Sequence, residues 1–225
     1  MSSENTVPTR IAQPTETSAL SSNRVLRNTY LLLSMTLFFS AIVTAISVAW
    51  KLPHPGIIVT LVGFFGLLYA TSKLQDSSWG LLAVFALTGF MGYTLGPIVS
   101  KYLATPNGGQ IVMMAMGGTA TIFVGLSAYA LTTRKDFSFT GGFLLAGSIV
   151  AFLAGLGAIF FQVPALSLTV SAAFVLLMGG LILFETSRIV HGGETNYISA
   201  TVGLYVSIYN LFSSLLALIG FGNSD

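Results

Sequence analysis

Between Ile182 and Phe212 the chain reads "ILFETSRIVHGGETNYISATVGLYVSIYNLF". Two glutamates, an arginine and a histidine crowd around a Gly-Gly pair, with apolar residues on either side. Glu185 carries the most chemical potential. A carboxylate in an otherwise apolar helix must pair, take up a proton or line a watery cavity, because a lone charge is expensive in hydrocarbon. Arg188, three residues on, is spaced to reach it across one helical turn. The same arginine could instead snorkel to lipid headgroups. Lys73 is the second candidate partner. Downstream, Tyr205 and Tyr209 share a face by their four-residue spacing, and Asn210 offers a hydrogen bond to a neighbouring helix. In "HGGETN" the glycines end one helix, and Glu194, Thr195 and Asn196 supply the capping chemistry of the next.

Covalent catalysis is poorly supplied. Ser127, in "GLSAY", would need a partner base, and both histidines, His54 and His191, fall between apolar segments. Asp76, Asp136 and Asp225 also lie in loops or at the end, so no intramembrane pair of aspartates forms. The chain has no cysteine, which removes thiol chemistry and disulfides. Two separated histidines do not make a metal site. No catalytic residue, metal ligand or cofactor is therefore assigned.

The elements that position these residues are read from composition. Hydrophobic residues make up 54% of the chain and charged residues 7%, and mean hydropathy is +0.85. Soluble domains carry roughly 25% charged residues, so this chain belongs in a lipid bilayer. Its net charge of +2 comes from scattered residues, without the basic block that nucleic acid would demand. Apolar runs near the about 20 residues needed to cross a bilayer recur at Tyr30–Trp50, Pro55–Leu74, Trp79–Leu103, Gln110–Thr133, Gly141–Phe161, Val163–Val190 and Tyr197–Gly220. Short turn-forming segments separate them, among them "KLPHP", "ATPNGG" and "HGGETN". The expected fold is all-α, a polytopic bundle of seven transmembrane helices over residues 25–225. Residues 1–24 are polar and read as a flexible tail. Small residues in "GGTATIFVG" and "GGFLLAGSIVAFLAGLG" fit close helix packing.

Lys and Arg in the short loops set the orientation. Arg10, Arg24, Arg27, Lys73, Arg134, Lys135 and Arg188 fall on one side, and Lys51 and Lys101 on the other. The first side is expected to be cytoplasmic, which places the C-terminus in the periplasm. The last helix carries Ser199, Thr201, Ser207, Asn210, Ser213 and Ser214, and such a helix is expected at the centre, ringed by the other six.

The segments "GPIVSKY", "MGGTATIF", "TTRKDFSF", "FETSRIVHGGETNYI" and "LYVSIYNLFSSLL" resemble the Bax inhibitor family of seven-helix membrane proteins, and within it the bacterial YccA branch. The resemblance runs from about Arg24 to Phe221. It implies six helices around a central seventh. In some members it implies a calcium leak latched by two acidic residues on the last two helices. Glu185 matches the first acidic position, but the second falls at Ser207. A Glu–Ser pair does not share a proton as two carboxylates do. Glu185, Ser207 and Asn210 are thus the candidate pore or proton-sensing residues, with Arg188 and Lys73 as charge partners and Ca2+ as a transient partner of the alternative reading. The branch itself implies a non-enzymatic bacterial inner-membrane regulator that binds the FtsH protease as a slow substrate, with ATP and zinc belonging to FtsH.

Overall fold

In the computed structural model, residues 16–222 are described, and side chains from Ser22 onward. Seven α-helices follow in order: α1 Glu16–Ala49, α2 Ile57–Leu74, α3 Trp79–Leu103, α4 Gly108–Thr133, α5 Gly141–Phe161, α6 Pro164–Val190 and α7 Tyr197–Gly222. A single 3₁₀ turn, Ser138–Thr140, leads into α5. No strand occurs among the described residues. All seven helices are long and apolar enough to cross a membrane. Helices are the solution lipid demands, since each satisfies its own backbone polar groups. The protein is an all-helical, multi-pass membrane protein. Helix α1 begins at Glu16, ahead of the tail boundary expected at residue 24, and residues 1–15 of that tail lie outside the described residues.

The turns are made by residues that leave helical geometry. Gly56 and Gly192 adopt φ of 88° and 73°, which glycine tolerates without steric cost. Arg134 and Gln162 do the same at φ of 49° and 53°. Each ends its helix by donating its amide to a carbonyl four residues back, Ala130 and Ala158.

The closest seam joins α1 to α3. Ser40, Thr44 and Ser47 of α1 face Gly92 and Gly96 of α3. A Cβ at Gly92 would sit 2.6 Å from the Ser40 carbonyl oxygen, and one at Gly96 would strike the Ser47 side chain. Thr44 donates to the Gly92 carbonyl at 2.9 Å. Pro97 has no amide hydrogen, so it leaves the Tyr93 carbonyl without its helical donor. Ser47 fills that gap at 3.2 Å.

Helix α7 packs chiefly on α1, α3, α4 and α6, whereas α2 lies on α3 and α5 on α6. The expected ring of six neighbours is thus reduced to four principal ones. Its polar groups face those neighbours. Tyr205, 1% exposed, shares a 2.6 Å hydrogen bond with Ser40 and donates to the Thr88 carbonyl at 3.2 Å. Tyr209 meets Thr94 at 3.1 Å, and Thr201 reaches the Thr29 carbonyl at 3.3 Å. Such bonds average about 0.6 kcal/mol in membranes, so their main effect is to fix which faces meet.

Candidate functional site

The charged residues quoted first converge where α6 hands over to α7. Helix α6 ends as Gly193 and Glu194 both donate their amides to the Arg188 carbonyl, at 2.8 and 3.2 Å. Gly192 supplies the left-handed residue that such a helix end requires. Helix α7 starts on Asn196, whose side-chain oxygen accepts from the amides of Ile198 and Ser199 at 2.8 and 3.2 Å. Glu194 steadies that cap, accepting from the Asn196 amide at 2.9 Å and the Ser199 hydroxyl at 3.1 Å. The Asn196 amide group also donates to Asp76 at 2.8 Å and the Gln75 carbonyl at 3.2 Å. One residue therefore caps α7 and ties it to the α2–α3 turn.

Glu185 sits one layer deeper, its side chain 16% exposed. One carboxylate oxygen lies 4.0 Å from Arg188 Nη1. The carboxyl packs flat on α7 at Gly203, where a Cβ would come within 2.8 Å of Oε1. Arg188 is shared. Its Nη2 lies 3.4 Å from Glu194 Oε2 and donates to the Gly193 carbonyl at 3.3 Å, while the guanidinium rests over the Phe184 ring at 5.5 Å. Two carboxylates thus flank one cation. Chemically, this arrangement can hold charge at the helix ends. Among the described residues, no cluster of His, Asp and Glu could hold a metal ion.

The other candidates are placed elsewhere. Lys73 makes no ion pair among the described residues and lies over the Tyr69 ring at 5.7 Å. Ser207 is buried on α7 and forms no hydrogen bond with Glu185. Asn210 donates to the Val206 carbonyl of its own helix at 2.8 Å. It lines a cavity of about 280 Å³ in the opposite half of the bundle, together with Ser167, Ser171, Ser213 and Ser214. Asn210 is seven residues beyond Gly203, about 10 Å along the axis, so Glu185 and Asn210 do not form one site.

A second polar cluster was not apparent from sequence. Ser187 of α6 accepts from the Phe137 amide at 3.0 Å and donates to the Lys135 carbonyl at 3.1 Å. His191 Nε2 donates to the Arg134 carbonyl at 2.9 Å. These contacts dock the α4–α5 loop on the end of α6. Within that loop, Asp136 accepts from the Ser138 amide at 2.8 Å. The Ser138 hydroxyl and amide hold its carboxyl below the usual carboxylate range. The only hint in the sequence is turn chemistry in "TTRKDFSF", which says nothing of its distant partner.

Comparison with known proteins agrees with this architecture. The family model described as "Inhibitor of apoptosis-promoting Bax1" matches residues 22–224. The "Modulator of FtsH protease YccA" of Escherichia coli is 55% identical over 209 residues, covering 93% of this chain and 95% of that protein. An uncharacterized protein of Pseudomonas aeruginosa is 56% identical, covering 89% and 90%. An uncharacterized membrane protein of Vibrio cholerae is 45% identical, covering 92% and 93%. With the match spanning all seven helices and the charged handover between the last two, the chain belongs to the Bax inhibitor family.

Proposed function

We propose that this protein is an inner-membrane regulator that binds an FtsH-type protease and restrains it as a slow substrate. The observation that carries the reading is the 55% identity to the Escherichia coli modulator of FtsH, sustained over nearly the full length of both chains. The bundle adds physical support. Extracting seven apolar helices from a bilayer is costly, so a processive protease that grips such a chain is occupied for long. The polar residues 1–15 supply the handle, because processive proteases start from an end of low hydrophobicity. The Lys and Arg bias puts that end in the cytoplasm and the C-terminus in the periplasm.

Co-purification from membranes with FtsH, followed by turnover measurements, tests this. The full chain should co-purify and slow degradation of a second membrane substrate. Deleting residues 2–15 should preserve binding and abolish turnover of the chain itself. Absence of co-purification together with no effect on the second substrate would sink the proposal. A calcium flux in liposomes abolished by Glu185→Gln would assign the chain to ion leak instead. The serine at position 207 and the Arg188 counter-ion beside Glu185 speak against that outcome.

A further inference from the structure

At the same end of the bundle, a cavity of about 270 Å³ opens where α1, α4 and α6 reach the membrane surface. Its polar lining comes from Ser22, Asn23, Arg134 and His191, and its apolar lining includes Leu131 and Val190. The level is fixed by the spans. Arg134 and His191 each follow the last residue of an apolar span. The cavity therefore lies at the depth of lipid headgroups.

Its charge is unbalanced. The only ion pairs among the described residues both belong to Arg188. The Arg134 side chain forms no hydrogen bond or ion pair with any described residue, although its backbone is fixed on both sides, by Ala130 and by His191. Asp136, the nearby acid, is engaged by Ser138. Arg24, Arg27 and Lys135 add positive charge at the same end without a described counter-ion. A guanidinium presents a fork of donors that matches a phosphate diester, and Ser22 and Asn23 offer further donors.

We infer that this cavity binds the headgroup of an anionic phospholipid, with Arg134 as the principal phosphate contact and Leu131 and Val190 against the start of an acyl chain. A lipid is chosen over free phosphate because the lining is partly apolar and the site lies at headgroup depth. Basic pockets between transmembrane helices are suited to such headgroups.

The test uses the full chain in nanodiscs of equal phosphatidylglycerol and phosphatidylcholine, with lipids retained after detergent release counted by native mass spectrometry. The wild type should retain phosphatidylglycerol preferentially. Arg134→Asn keeps a residue that accepts the left-handed backbone and should lower that retention about fivefold, the worth of one basic residue near the surface. Leu131→Trp, which fills the cavity without touching charge, should lower it as well. Lys101→Asn, at the other end of the bundle, should leave it unchanged. Wild-type retention by both cavity variants would overturn the inference. So would displacement of the lipid by millimolar inorganic phosphate, which would reassign the cavity to a free anion.

Discussion

The two ends of the bundle are held by different forces. At the basic end, the α2–α3, α4–α5 and α6–α7 turns are tied to one another by side chains. Asn196 reaches Asp76 and Gln75, and Ser187 and His191 reach residues 134–137. At the opposite end, contact is mainly steric. Gly96 admits Ser47, and Gly220 of α7 admits the Tyr102 ring of α3. Among the described residues, the Tyr93 hydroxyl there donates to the Pro53 carbonyl at 2.8 Å. Directional bonds specify partners wherever water competes, whereas in lipid close packing of small residues does the same without exposed polar groups.

Substitutions can break or sharpen this contrast. The largest effect is expected for Gly96→Val, which must push α1 off α3 at the steric end. It should cost about 3 kcal/mol, read as a lower denaturant midpoint in detergent micelles. An unchanged midpoint would mean that close packing does not hold this end. Asn196→Ala removes a cap and both ties to the α2–α3 turn, and should cost about 1–2 kcal/mol. Hydrogen exchange should rise at residues 75–79 as well as at the start of α7; a rise confined to α7 would show that the cross-turn bonds contribute nothing. Tyr93→Phe deletes one polar bond of the steric end and should shift stability by less than about 0.5 kcal/mol.

The smallest expected effect is a pH dependence at the polar end. Asp136 has a carboxyl pKa below its ordinary value, so its contribution is present above that ordinary value and is lost as pH falls through the lowered one. Wild type should therefore lose slightly more stability than Asp136→Asn between neutral and strongly acidic pH. Equal losses would show that the Asp136–Ser138 bond does not help to hold the α4–α5 loop.

Seven spans were legible because lipid imposes a continuous apolar signal that loops cannot imitate. The Glu185–Arg188 contact was legible because three-residue spacing on a helix is local. Gly203 was not, since its importance comes from a carboxylate eighteen positions away that only the packing of α6 on α7 brings into contact. Glu194 read as a capping residue, which it is, but its claim on Arg188 depends on the path of the turn after Gly192. Lys73 stands at a helix end, where a partner for Glu185 is expected, yet its ammonium lies over the ring of Tyr69, four residues back. The ring of six neighbours around α7 assumed that polarity alone sets position. In the structure, α7 packs mainly on α6 and α4 and sends its tyrosine hydroxyls to α1 and α3, leaving α2 and α5 outside.

That placement of α7 has a consequence for biosynthesis. Helix α7, synthesised after the other six, packs on the first, third, fourth and sixth. Until it arrives, Ser40, Thr88 and Thr94 lack the tyrosines that they meet in the finished protein. The bundle is therefore completed only when α7 enters. The earlier helices must wait in the bilayer as a partly open cluster, and the final helix must enter between them. A nascent chain that ends before Tyr205 would carry every charged loop of the described protein and still lack the tyrosine bonds from α7 to α1 and α3.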